Sequence, residues 1–350
     1  MATLNPKNFS NAVLKWFDQY GRKTLPWQQD KTPYRVWISE IMLQQTQVTT
    51  VIDYFNRFMQ RFPTVDALAK PTEDDVLHHW FGLGYYARAR NLHRTAKCIV
   101  ENHHSQFPQD LAALENLPGI GRSTAGAILS LGCHRWASIL DGNVKRVLTR
   151  VFGMREWAGL PIITQQLWAH AAALTPHTRF DDYNQAMMDL GATVCTRSQP
   201  HCKACPLKKY CYAYPQGLTD VIPAKKPKKI LPVKKVNLLM LQNANGDVLL
   251  ERRPNCGIWG GLWCFPEITD ATQLPAHCKT QYGATIAAIK IWKPFRHTFT
   301  HYHLDITPIH ATIRTLKKNA NEHGIWYNSK ITVGLATPTQ QLLQTLQETP

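Results

Sequence analysis

The run Leu117-Pro118-Gly119-Ile120-Gly121-Arg122-Ser123-Thr124-Ala125 is followed about twenty residues on by Asp141-Gly142-Asn143-Val144-Lys145-Arg146, and this pair decides how the rest of the chain is read. Two glycines let the backbone turn sharply and come close to a ligand. The amides that open the next helix face outward, where the helix dipole favours an anion such as phosphate. Pro-Gly turns are common between helices, so the first run alone decides little. The second adds a carboxylate. Asp141 is placed to cap a helix opening near Gly142, and a carboxylate held by helix amides stays ionised.

Outward from this pair the chain reads as helical. Val13, Leu14, Phe17 and Tyr20 recur at helical spacing, with Gly21 as a stop. A single helix is expected through about Trp37 to Phe58, ended before Pro63. Further helical patterns cover Tyr85 to Ile99, Ser123 to Leu131, Val144 to Phe152 and Asp181 to Leu190. No strand pattern precedes the cysteines that follow, so residues 1–224 are expected to form an all-α domain. The stretch Pro223 to Lys235, PAKKPKKILPVKK, has no period and reads as an extended basic linker over 225–235. Residues 236–350 change texture. Strands are expected at Val236 to Leu241 and Val248 to Leu250, joined through Asn245-Gly246, and at Tyr302 to Ile309. Thr337-Pro338 opens a last helix over Thr339 to Leu346. The second domain is therefore α+β.

The chain has 350 residues, with 40 Lys plus Arg against 24 Asp plus Glu and a formal charge of +16. That surplus suits a polyanion, because each neutralised phosphate releases counterions. No apolar run reaches the ~20 residues of a membrane span, and Met1 to Lys7 lacks a secretory apolar region. A cytoplasmic protein is expected, associated with the nucleoid if bacterial, and acting as a monomer. Nine cysteines include Cys195-x6-Cys202-x2-Cys205-x5-Cys211, a closed four-thiolate site for zinc or for an iron–sulfur cluster. Cys98, Cys133, Cys256, Cys264 and Cys278 fit no ligand spacing and read as small buried apolar groups.

Together these motifs resemble the MutY-type adenine DNA glycosylases of the endonuclease III, or helix-hairpin-helix, superfamily. The resemblance runs from about Leu14 to Leu335. It implies one [4Fe–4S] cluster on Cys195, Cys202, Cys205 and Cys211. It implies a partner, double-stranded DNA containing an adenine mispaired with 8-oxoguanine or guanine. Glu40 lies between Trp37 and Leu43 on one helix face, where partial burial raises a carboxyl pKa. By the resemblance Glu40 protonates the base and Asp141 faces the sugar, with Ser123, Asn143 and Lys145 supporting them. Trp27, Leu43, Gln44, Val48 and Gln185 are implied as the adenine pocket. Gln45, Tyr85, Gly119, Gly121 and Arg146 are implied as DNA contacts, Gln45 as a wedge and Tyr85 stacked beside the oxidised guanine. Bifunctional relatives carry Lys where Ser123 stands, and a hydroxyl cannot form their imine. Base removal without efficient strand cutting is expected.

The stretch Gly257-Ile258-Trp259-Gly260-Gly261-Leu262-Trp263-Cys264-Phe265-Pro266-Glu267 resembles the start of a Nudix-like domain. Its later carboxylates are missing, so a magnesium site for pyrophosphate hydrolysis is not expected. Lesion recognition is expected instead, through Phe299-Thr300-His301, where the family has Phe-Ser-His. Rival readings are an endonuclease III-like enzyme, a non-catalytic DNA-binding or redox-sensing protein, and a Nudix hydrolase.

Overall fold

In the structure, a computed structural model, residues 4–227, 230–255, 257–316 and 324–348 are described. Eleven α-helices precede the strands among them: α1 (Pro6–Tyr20), α2 (Pro33–Leu43), α3 (Val48–Arg61), α4 (Val65–Ala69), α5 (Glu73–His79), α6 (Ala87–His103), α7 (Leu111–Glu115), α8 (Arg122–Ala127), α9 (Gly142–Phe152), α10 (Pro161–Leu174) and α11 (Phe180–Thr193). Strands β1 (Val233–Gln242), β2 (Val248–Arg252), β3 (Trp263–Cys264) and β4 (Glu267–Ile268) follow. Then come α12 (Leu274–Tyr282), β5 (Ala284–Ile291), β6 (Phe295–Thr298), β7 (His303–Leu316), β8 (Ile325–Tyr327) and α13 (Thr337–Glu348). The described residues form two compact units. One is Met1–Lys70 with Asn91–Pro227, the other Pro71–Arg90 with Lys228–Pro350.

Three expectations need correction. The helix expected from Trp37 to Phe58 is two helices, broken over Gln44–Gln47, with Gln45 at φ +59°. The break shows no Gly or Pro, so periodicity alone runs through it. The helix expected from Tyr85 begins at Ala87, and Tyr85 stands outside it at φ +48°. The basic linker ends sooner than expected, because β1 starts at Val233 and Lys234 and Lys235 are strand residues. The helix opening at the hairpin runs as α8 to Ala127 and then as a π-helical turn, Ile128–Gly132.

The first unit closes on one apolar core. Phe9, Val13 and Phe17 of α1 meet Val147 and Leu148 of α9, Leu167 of α10 and Ala186 and Leu190 of α11. α11 packs on α1, α9 and the π-helical turn, and α2 packs on that same turn. In the second unit the sheet runs β3-β2-β1-β7-β5, with β4 on β1, β6 on β7 and β8 on β2. β1 pairs in parallel with β7 from Val233↔His303 to Gln242↔Thr312. Leu238 and Met240 face one core with Leu342 and Leu343 of α13; Leu239 and Leu241 face another with Leu274 and Cys278 of α12. A sheet buried on both faces accounts for the continuous apolar run of β1. The hairpin signal holds, with Gly246 at φ +86° and Asn243 N–H bonded to Asp247 O at 2.9 Å. α12, β5 and β6 carry no clear period in sequence and went unforeseen. Cys264 and Cys278 are buried, Cys98 and Cys133 half-buried, and Cys256 lies outside the described residues.

Candidate active site

Asp141 caps α9. Its Oδ1 accepts from Val144 N–H at 2.7 Å and its Oδ2 from Asn143 Nδ2 at 2.9 Å. Burial pushes its carboxyl upward, opposed by those donors and by the nearby Arg146 charge. Against the expectation that helix amides keep this carboxylate ionised, desolvation is the largest influence on it and outweighs those donors. Glu40, half-buried at the end of α2, has no such opposition. Burial first, then the charge of Asp141, push it up to about 8. The two carboxyls are therefore close neighbours with unequal environments, the condition under which one donates a proton while the other bears charge.

The hairpin braces this pair. Ser123 Oγ accepts from Leu140 N–H at 3.2 Å, tying α8 to the residue before Asp141. Thr95 of α6 donates to Pro118 O at 2.7 Å. Gly119 is at φ +78°, and a Cβ there would lie 2.7 Å from Asn91 Cβ, so the loop demands glycine twice over. Gly121 caps α8 with open space around it. Gly191 of α11 meets Asn143 so closely that a Cβ would stand 2.6 Å from that side chain. Lys145 is half-buried on the same first turn of α9.

Arg146, expected as a DNA contact, spends its donors within the protein. It reaches Cys195 O at 2.7 Å, Gly191 O at 2.7 Å and Asn143 Oδ1 at 2.8 Å. It is a strut between α9, α11 and the cysteine loop. Sequence reasoning missed Arg150, which is 2% exposed. Its guanidinium donates to Ile222 O at 2.8 Å, Thr196 O and Thr219 O at 2.7 Å, and Cys195 Sγ at 3.2 Å. The four-residue step from Arg146 on α9 was the available signal.

Burial pushes the Cys205 thiol up to about 12, and the Cys202 and Cys211 thiols upward, with Cys195 adding to each. The four thiols thus share one neighbourhood. Among the described residues no three His, Cys, Asp or Glu side chains converge on one ion position. Four thiols with no nitrogen or oxygen donor among them have the chemistry of either a tetrahedral zinc site or a four-iron cubane, and Cys195, Cys202, Cys205 and Cys211 are the residues that would hold it.

Trp27 is buried edge-on to Phe55, ring centroids 5.5 Å apart, in a turn packed on α2 and α3. Those helices end at Leu43 and begin at Val48, both half-buried, with Gln44 and Gln45 exposed at the break. Gln185 is buried on α11, its Nε2 donating to Asp189 Oδ1 at 3.0 Å. Two exposed non-glycine residues expected to meet DNA, Gln45 and Tyr85, both hold left-handed backbone. Such strain gathers at functional sites. In the second unit Phe299 anchors the β6–β7 turn among Trp259, His297 and Tyr302, with ring centroids 5.3, 4.7 and 5.0 Å away. Thr300 and His301 stand exposed beside it. Glu267 is ion-paired to Arg253 at 2.6 Å, and α12 carries no acidic residue.

A helical unit with a glycine hairpin, a capped aspartate and a four-cysteine loop defines a helix-hairpin-helix base-excision glycosylase. Residues 38–172 match the HhH-GPD superfamily base excision DNA repair protein model, and residues 237–345 match the NUDIX domain model. The chain is 41% identical to the adenine DNA glycosylase of Buchnera aphidicola subsp. Baizongia pistaciae, over 97% of each chain. It is 35% identical to that of Homo sapiens, over 75% of this chain and 57% of the human one. The chain belongs to the adenine DNA glycosylase family. A thermostable thymine-DNA glycosylase structure superposes with TM-score 0.55 at 26% identity, covering 60% of this chain and 97% of that one. Endonuclease III in a non-covalent DNA complex gives TM-score 0.52 at 20% identity, covering 62% and 99%, which speaks to the fold. No helix among the described residues is long and apolar enough to cross a membrane.

Proposed function

We propose that this chain is a monofunctional DNA glycosylase hydrolysing the N-glycosidic bond of adenine paired with 8-oxoguanine or guanine in duplex DNA. The observation that carries the reading is the unequal carboxyl pair, Glu40 pushed up to about 8 beside an Asp141 held by α9 donors. The target base must leave the stack to be reached. Adenine departs poorly as an anion. Glu40, protonated near neutral pH, gives its proton to a ring nitrogen, and the glycosidic electron pair leaves with the base. Asp141 faces the cationic sugar and stabilises or traps it, and Glu40 then takes the proton of the attacking water.

Gln45 fills the gap left by the base, Tyr85 stacks beside its former partner, and the Gly119–Gly121 loop offers its amides to phosphate. Thr300 and His301 read the oxidised guanine, Thr300 keeping the hydroxyl of the family loop. Cys195, Cys202, Cys205 and Cys211 hold one [4Fe–4S] cluster, whose part is to rigidify a basic loop against DNA. Ser123 lacks an amine, so the product is an abasic site in an uncut strand. The chain works as a monomer on the chromosome in the cytoplasm. A labelled duplex with one adenine opposite 8-oxoguanine tests this. Strand cleavage at that adenine is expected only after alkali, and not in an A·T control. No cleavage from protein with a loaded cysteine site would leave a DNA-binding protein instead.

A further inference from the structure

Gln185 and Asp189 stand one turn apart on α11, 6% and 0% exposed. The Asp189 carboxylate accepts four hydrogen bonds. Arg22, just past α1, gives its backbone N–H at 2.8 Å, Nε at 2.9 Å and Nη2 at 2.6 Å; Gln185 Nε2 gives the fourth at 3.0 Å. A carboxylate paired with a guanidinium has only lone pairs to offer. The Gln185 amide must therefore turn its NH2 toward Asp189, because the reverse sets oxygen against oxygen. Its Oε1 lies on the other arm, and among the described residues no donor meets it.

We propose that Asp189 and Arg22 are positioning residues that set base selectivity by locking Gln185 with its carbonyl outward. An outward acceptor suits a purine whose 6-position carries an amino donor. It opposes a 6-oxo purine, which would face it with a second acceptor. A buried polar group left unpaired by the wrong base is the kind of contact that discriminates strongly. The inference rests on the reading of Gln185 as a residue of the base pocket. It adds what holds the amide in one orientation.

The test compares single-turnover excision of adenine and of hypoxanthine, each opposite 8-oxoguanine, with a melting temperature for every variant. Asp189→Asn brings an NH2 that can donate to Gln185 Oε1 and release the reversed amide. The adenine-to-hypoxanthine ratio is expected to fall at least about tenfold, the scale of one base-edge contact. A purely structural role lowers both rates together, and an unchanged ratio overturns the proposal. A second pair of variants avoids dependence on Asp189→Asn folding. Gln185→Glu, kept protonated by burial against the Asp189 carboxylate, donates its O–H there, keeps its carbonyl on the outer arm and retains the ratio, whereas Gln185→Met, with no acceptor, collapses it. Equal ratios in these two variants also overturn the proposal. Wild-type protein that does not excise adenine opposite 8-oxoguanine defeats the pocket reading itself, and the wild-type arm shows this before any ratio is taken.

Discussion

In the proposed function, Ser123 is the residue at which one side chain separates two chemistries. Its hydroxyl accepts from Leu140 N–H and so lies next to the turn that delivers Asp141. A lysine placed there would bring an amine toward the same sugar. Ser123→Lys should yield covalent protein–DNA adducts on borohydride trapping, absent from wild type. No adduct from a variant that still excises adenine would move Ser123 away from the sugar. Asp141 teaches a complementary lesson. Its capping role was legible from Asp141-Gly142, since a carboxylate at that position accepts the amides of the first turn. The upward push of burial was not, because depth depends on how α11 packs on α9, which sequence does not place.

At the scale of elements, the hairpin between α7 and α8 is held by two independent constraints at Gly119. Alanine there costs about 1–2 kcal/mol for left-handed backbone, and its Cβ must also displace Asn91. Gly119→Ala should lower the melting temperature and weaken binding to undamaged duplex. Unchanged affinity would show that the loop does not meet phosphate. The helical half was legible because its apolar faces repeat at helical spacing, and α9 was located almost to the residue. The break at Gln44–Gln47 was hidden, since Leu43 and Val48 keep the apolar pattern alive across it. Arg150 was hidden for another reason. A buried guanidinium on five acceptors is invisible until the chain from Cys195 to Ile222 is folded around it. In the second unit β1 and β7 were legible as apolar runs, while β5 and β6, mostly exposed, were not.

Across the whole molecule, sequence order misleads about what belongs together. Residues 71–90 lie in the helical half of the chain yet group with 228–350. Arg252 pairs with Glu73 at 3.3 Å, Arg90 donates to Gly260 O, and Gly334 abuts Leu77. Cutting the chain after Pro227 removes those partners. Such a truncation should melt lower than the full chain and gain trypsin cleavage near Arg88 and Arg90. Equal protection in both forms would show that residues 71–90 hold together without the sheet.

The proposed base removal depends on Glu40 as a proton donor whose carboxyl is pushed up to about 8. The most direct test is the single-turnover rate of adenine loss against pH, for wild type and Glu40→Gln. A raised carboxyl is protonated below its pKa, so the wild-type rate should hold through neutral pH and fall about tenfold per unit above roughly 8. DNA phosphates nearby displace that limb only upward. Glu40→Gln should lose excision at every pH while binding the duplex as before. A wild-type rate already falling between about pH 5 and 6, or a Glu40→Gln variant that still removes adenine, would rule out Glu40 as the proton donor.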